Sequence, residues 1–397
     1  MGFLILVLPA CSVNAIDWYR WRGPDLNGIS KETGWTVAWP KEGPAMLWKA
    51  SVSTGFSSVA VSQGRVFTMG NESDVDTVYC LDEKTGAVRW KHSYRCELQP
   101  KYYEGGPGAT PTVDGDRVFT ISKNGDVFCF ETASGKIVWQ KHLQKDLGAK
   151  RPEWGFAGSA LVLGNKLFLN AGEAGAALDK RSGELLWKSA GTAAGYATPV
   201  PLTIEGKSCL AIFAAKALAL VEAETGRELW RHPWVTGWDI NAADPIVQGG
   251  KIFISSFSRG CALLEAGLTK ATVLWENKNM GNHFNSCVLV NGSIYGVDGN
   301  TDKPGVELRC LDFATGAVQW AHKGIGLGSL MAADQKLIVL SDRGELVVAE
   351  ASPQSFKTLA RAQVLGGKCW TQPVLSNGRI YCRNAQGTLV CLDVSGK

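Results

Sequence analysis

Ten residues carry most of the chemistry this sequence offers: Tyr103, Glu104, Trp154, Tyr196, Trp238, Asp239, Asn241, His283, Asn285 and Trp370. They fall in short segments set just ahead of apolar, strand-like runs: 102–107, 151–156, 195–199, 238–241, 282–285 and 368–373, with 55–58 a similar segment upstream. Aromatic faces suit a flat ligand or a sugar, and Glu104, Asp239, Asn241 and His283 add polar contacts or a cation site. The competing use is internal: the rings fill space, the polar groups satisfy strand-end backbone, and His283 is a packed histidine. Other chemistry is missing from the text. No His-Glu-x-x-His, Gly-x-Ser-x-Gly or Cys-x-x-Cys occurs. Gly206-Lys207-Ser208 has Pro201 where a phosphate loop needs its first glycine, and Gly324, Gly326 and Gly328 alternate without a following helical pattern.

The elements that must position these residues are set by a repeat. Tryptophan returns at Trp48, Trp90, Trp139, Trp187, Trp230, Trp275 and Trp320, an interval of roughly 40–50 residues that marks a tandem array. Most copies end one phrase. Leu81-Asp82 leads through Thr85-Gly86 to Trp90, and Leu311-Asp312 leads through Thr315-Gly316 to Trp320. The hydrophobe–acid step occurs eight times, ending at Ala349-Glu350, where Leu359 stands in for the tryptophan, and at Leu392-Asp393, where the chain stops first. Asp82, Asp179, Asp312 and Asp393 recur with the phrase and read as turn acids.

Within one repeat, 116–121, 125–130 and 136–139 alternate and are separated by Asn124-Gly125 and Ser134-Gly135, with a further strand near 109–113. Four strands per repeat describe a propeller blade. The fold expected is all-β, an eight-bladed β-propeller of four-stranded antiparallel blades. The strand around Trp48 has no phrase before it, so N- and C-terminal strands close the ring in one blade. The tryptophans pack between blades, and the Thr-Gly glycine takes a positive φ.

The Leu-Asp-x-x-Thr-Gly-x-x-x-Trp phrase resembles the pyrroloquinoline-quinone-type propeller repeat of bacterial quinoprotein dehydrogenases and of BamB-type outer-membrane assembly lipoproteins. The likeness spans about residues 45–397 and is specific for fold, not activity. The opening Trp18-Tyr19-Arg20-Trp21-Arg22-Gly23-Pro24 is similar to the start of exported propellers from planctomycete-like bacteria. The dehydrogenases carry a vicinal cysteine pair over the cofactor, and this chain has no adjacent cysteines. They are also much longer.

Residues 1–15 read as a signal peptide, with an apolar run from Phe3 to Ala10 and small residues at Val13-Asn14-Ala15. Export to the periplasm or beyond follows, with lipidation at Cys11 as the alternative. Residues 16–44 then form an extension packed on the propeller of 45–397. Lys+Arg number 41 against 37 Asp+Glu, without charge blocks, so no nucleic-acid partner is implied. No run is long enough to span a membrane. Cys80, Cys129, Cys310 and Cys391 share one repeat position, too far apart between blades for disulfides, and read as small buried hydrophobes. Cys96, Cys209, Cys261, Cys287, Cys369 and Cys382 carry no assignment.

Two classes follow. The preferred one is a monomeric, non-catalytic exported propeller, without cofactor or metal, that binds a protein partner or small ligand at a central funnel. The alternative is a quinoprotein-like oxidoreductase holding pyrroloquinoline quinone with calcium, with Asp239 or Glu104 as base. A sugar-binding accessory is a third class.

Overall fold

The computed structural model describes residues 16–300 and 305–396. The expected export signal and Cys11 lie outside the described residues. Eight antiparallel sheets follow one another along the chain, and no helix occurs among the described residues. A short strand, β1 (Ile29–Ser30), precedes the ring, and β2 (Met46–Ser51) opens it. Blade 1 is then built from β3 (Ala60–Ser62), β4 (Arg65–Glu72), β5 (Val75–Asp82) and β6 (Val88–Arg95). Blades 2 to 8 begin with the inner strands Thr112–Asp114, Leu161–Leu163, Val200–Ile204, Ile246–Gln248, Val288–Val290, Ser329–Ala333 and Val374–Ser376. Blade 8 has only three strands of its own, and β2 supplies the fourth by pairing with Thr388–Asp393, Trp48 opposite Cys391. The expected eight blades and their closure are therefore present. Blade 7 differs by one feature: β1 adds a fifth, parallel strand inside it, with Ile29 opposite Ala332.

The repeat phrase has a shared physical basis. Asp82 Oδ1 accepts from the backbone N–H of Lys84 and Thr85 and from the Thr85 hydroxyl, and Asp179 and Asp312 serve the same turn in blades 3 and 6. The glycine that follows does more than adopt a positive φ. A Cβ placed at Gly86, Gly135 or Gly183 would lie 2.7, 2.6 or 2.8 Å from the ring of Trp48, Trp90 or Trp139 of the preceding blade. The indole N–H of each tryptophan also bonds forward: Trp48 to Glu83 O, Trp90 to Thr132 O, Trp139 to Lys180 O, Trp187 to Ala223 O, Trp230 to Gly267 O, Trp275 to Phe313 O and Trp320 to Ser352 O. Trp48, Trp90, Trp139 and Trp230 are buried, whereas Trp187, Trp275 and Trp320 are half-buried at the rim.

Cross-strand from the tryptophan stands a small or aliphatic residue: Cys80 faces Trp90, Cys129 faces Trp139, Cys310 faces Trp320 and Ala177 faces Trp187. That is why cysteine recurs there. All ten cysteines among the described residues are free and buried. In blade 7 the tryptophan site is Ala360, not Leu359. The turn bridged from Glu350 N–H to Lys357 O is longer than that from Asp82 N–H to Ala87 O, so Ala360 pairs with Val348 and Leu359 becomes the bulge. The N-terminal segment packs against blade 8 beside it. Thr36 lies 3.5 Å from a Cβ built on Gly396, its N–H bonds Val394 O, and Trp35 is buried in the adjoining core.

Candidate functional site

Strand direction assigns every loop to one of two faces. The connection leading into each inner strand and the turn between the second and third strands share the upper face, and the Asp-x-x-Thr-Gly turns lie on the lower one.

A girdle of hydrogen bonds links the inner strands around the channel. The backbone N–H of Ser58 donates to Thr110 Oγ1 (3.1 Å), Thr110 to Ser159 Oγ (2.9 Å), Ser159 to Thr198 Oγ1 (3.0 Å), Thr198 to Asp244 Oδ1 (2.7 Å) and Asp244 to Ser286 Oγ (2.9 Å). Gln372 continues it, accepting from the Ser58 hydroxyl and donating to Leu330 O. Blade 5 alone in this series uses a carboxylate, Asp244. Burial pushes its carboxyl up, and Arg22, 3.8 Å away and equally buried, opposes that shift.

Arg22 belongs to a segment that closes the lower end. Trp18 O accepts from Val61 N–H, Tyr19 O from Val113 N–H and Gly28 O from Ala332 N–H. Arg20 donates to Val162 O, the Trp21 indole to Asp244, and Arg22 to Cys287 O. Glu32 accepts from the backbone of Asn377 and Gly378. Residues 18–32 thereby touch the inner edge of blades 1, 2, 3, 5, 6, 7 and 8, and Leu26 joins a buried cluster that reaches Leu210 and Ile212 of blade 4.

The upper face is different in kind. One aromatic arc runs from His283 to Phe284 (5.0 Å), Trp370 (4.6 Å), Phe56 (5.6 Å) and Tyr103 (5.5 Å), joining blades 6, 8, 1 and 2. Lys368 caps Trp370 at 4.3 Å and pairs with Glu104 at 2.9 Å, which ties blade 8 to the connection into blade 2. A second arc joins Tyr196, Trp154 and Trp238, with centroids 6.4 and 6.2 Å apart. Lys101–Glu153 and Arg151–Gln99 contacts bridge the connections that carry the two arcs. The two arcs thus take in eight of the ten candidates, counting Glu104 through Lys368 and Asp239 beside Trp238. Asp239 sits at φ 54 in the left-handed region, 3.6 Å from Lys216. Trp238 is 73% exposed and Tyr102 is 89% exposed.

Asn241 and Asn285 do not join that surface. Asn241 is fully buried; its amide donates to Ala214 O, Ala215 O and Trp234 O and accepts from Ser256. Asn285 bridges to Leu327 O and Gly328 O of blade 7 and accepts from Ser329. Both brace strand ends. Tyr196 is buried, and burial pushes its phenol well above its ordinary range; burial also lifts the Tyr103 phenol, to about 12.

Sequence reasoning missed three groups. Lys123 is buried against the Tyr103 ring at 5.0 Å and donates to Leu98 O and Gln99 O; burial and nearby Arg151 bring its ammonium down to about 8. Arg383, also buried, donates to Ser57 O, Met69 O, Ser53 O and the Thr68 hydroxyl. The girdle hydroxyls are the third group, and their signal was a small polar residue at one repeat position. Blade 7 brings no aromatic side chain to the mouth. Its glycines give room instead, and the Asp342 carboxylate rests on Gly326, at φ 62. A cavity of about 540 Å³ opens there, lined by Leu327, Asp342, Arg343, Lys368 and Trp370 among others.

The fold and its loop face define an eight-bladed propeller whose lower end is covered by residues 18–32 and whose upper face carries the two aromatic arcs. The family profile described as outer membrane protein assembly factor BamB matches residues 28–101 and 77–322, and the chain belongs to that family. A curated relative, the outer membrane protein assembly factor BamB of Shewanella oneidensis, is 26% identical over 346 residues, covering 72% of this chain and 84% of that protein. Among solved structures, BamB from Moraxella catarrhalis superposes with a TM-score of 0.64 at 16% identity, covering 88% of this chain and 97% of that one. A quinohemoprotein alcohol dehydrogenase from Comamonas testosteroni gives a TM-score of 0.70 at 13% identity, covering 96% and 81%. At these identities the solved structures speak for the fold alone.

Proposed function

We propose that the protein is a non-catalytic, exported scaffold that binds a protein partner through its upper loop face, as the family description implies for an assembly factor. The observation that carries this reading is the pair of aromatic arcs beside the exposed Trp238 and Tyr102, on the face opposite the closed end. Aromatic residues are what protein interfaces enrich, and tryptophan and tyrosine recur among the side chains that dominate binding. Residence in the periplasm, as a monomer released from its signal or held by a lipid at Cys11, belongs to the same proposal.

The quinoprotein reading fits the residues less well. Pyrroloquinoline quinone with calcium needs a flat slot and convergent oxygen ligands. Here the Phe284–Trp370–Phe56 stack fills one side of the mouth, and Glu104 and Asp239 are engaged by Lys368 and Lys216. No group of three His, Cys, Asp or Glu side chains suited to a metal occurs among the described residues. The test is to mix the purified protein with the quinone and Ca²⁺, then assay dye reduction with alcohols and aldoses. We expect no retained chromophore and no turnover. In parallel, wild-type protein should recover an envelope protein that the Trp238→Ala, Trp370→Ala double variant does not. Saturable quinone binding, or identical recovery by both proteins, would overturn the proposal.

A further inference from the structure

We propose that cleavage after Ala15 turns the Ile16 nitrogen into an ammonium that pairs with buried Glu32 and locks the segment closing the lower channel. The inference rests on the export reading above. Ile16 N stands 3.2 Å from Glu32 Oε1. Glu32 is fully buried, and its carboxylate accepts from the backbone N–H groups of Asn377 and Gly378. No lysine, arginine or histidine side chain pairs with it among the described residues. Such a carboxylate is costly to bury without a cation, and burial does push it upward. The other charged groups close by offer no relief. Glu83 opposes ionisation and is itself engaged by Arg379 at 2.9 Å, and Asp17 accepts from Gln63 N–H and the Asn377 amide.

The backbone around the nitrogen is already fixed. Ile16 O accepts from the Ser376 hydroxyl at 2.8 Å, and Trp18 O accepts from Val61 N–H at 2.9 Å. An uncut chain offers Glu32 one neutral N–H at this point. In the cut, water adds across the Ala15–Ile16 amide: the C–N bond breaks, Ala15 leaves with a new carboxylate, and the Ile16 nitrogen takes up protons to become –NH3⁺. Val13-Asn14-Ala15 supplies the small residues such a cut needs. Three donors and a positive charge then face a carboxylate that lacked a cation. Processing would thus complete the closure of the lower end. Lipidation at Cys11 would instead leave Ser12 to Ala15 attached and the Ile16 nitrogen an uncharged amide.

The test starts from the chain with residues 1–15 in place, produced for export in a bacterial host. Intact mass and N-terminal sequencing of the recovered protein should give Ile16 as the first residue. Labelling of its α-amine with acetic anhydride is then followed against pH. An amine held as the ammonium by Glu32 should titrate above the ordinary range of about 7.7–8.0. A pKa raised by about one leaves roughly a tenth as much free amine at pH 7, so labelling there should slow about tenfold. In Glu32→Gln the rate should return to the ordinary one, and Glu32→Asp, which keeps the charge, should retain most of the protection should Glu32→Gln fold poorly. Processing at another bond, or equal labelling of wild type and Glu32→Gln, would overturn the pairing. A precursor that is neither exported nor cut would overturn the export reading and the pairing with it.

Discussion

The two ends of the channel spend similar side chains in opposite ways. At the lower end, Trp18, Arg22 and Glu32 are buried, and their groups or neighbouring backbone bond to inner strands. At the upper end, Trp238 and Tyr102 stand in solvent, and Glu104, Lys368, Asp239 and Lys216 pair with one another across loops. The lower end works as structure. The upper end is a non-repeating surface on a repeating frame, the arrangement expected when loops carry recognition. The difference separates a buried, bonded end from an exposed loop face, and it can be attacked from either side.

The largest effect should come from the lower end. Arg22→Met leaves Asp244 buried without its cation and should cost about 3–5 kcal/mol in guanidinium unfolding. Adding Asp244→Ser, which restores the hydroxyl used by neighbouring blades, should recover most of that loss. No recovery would mean that Arg22 acts by packing. Trp90→Ala, in the frame between the two ends, should also cost about 3–5 kcal/mol. Gly183→Ala is expected to cost about 1–3 kcal/mol, because the new Cβ meets the Trp139 ring.

A pH effect separates a buried acid near the upper end from the exposed loops around it. Burial raises the Asp76 carboxyl from 3.8 to about 6. The folded state then binds its proton more tightly than the unfolded chain. This contribution is present in full below about pH 4 and is lost as pH rises through about 6. Asp76→Asn should flatten the stability profile across that window. Trp238→Ala, by contrast, should change stability by no more than about 0.5 kcal/mol, as exposed positions do, while removing partner recovery. A large loss of stability there would assign the upper arc to packing.

The frame was legible because a long period leaves many coincident copies of Trp, Gly and Asp. Ring closure followed from one orphan strand, and the register of Trp48 opposite Cys391 bears it out. Leu359 was misplaced because the longer turn and the bulge together shift the site to Ala360. The site was legible only in part. A loop asparagine offers the same amide to a ligand or to a strand end, and only the fold reveals that Asn241 faces Trp234 O and Ser256. Arg22 and Asp244 lie in distant parts of the chain, and nothing local signals that one repeat uses a carboxylate where its neighbours use hydroxyls.

The most direct test of the central claim is site-specific photocrosslinking in the cell envelope. A benzophenone side chain placed at Tyr102 or Trp238 should yield a discrete protein adduct, while one at Lys84, in a turn of the lower face, should yield none. Adducts from Lys84 with none from Tyr102 and Trp238 would contradict the assignment of binding to the upper loops.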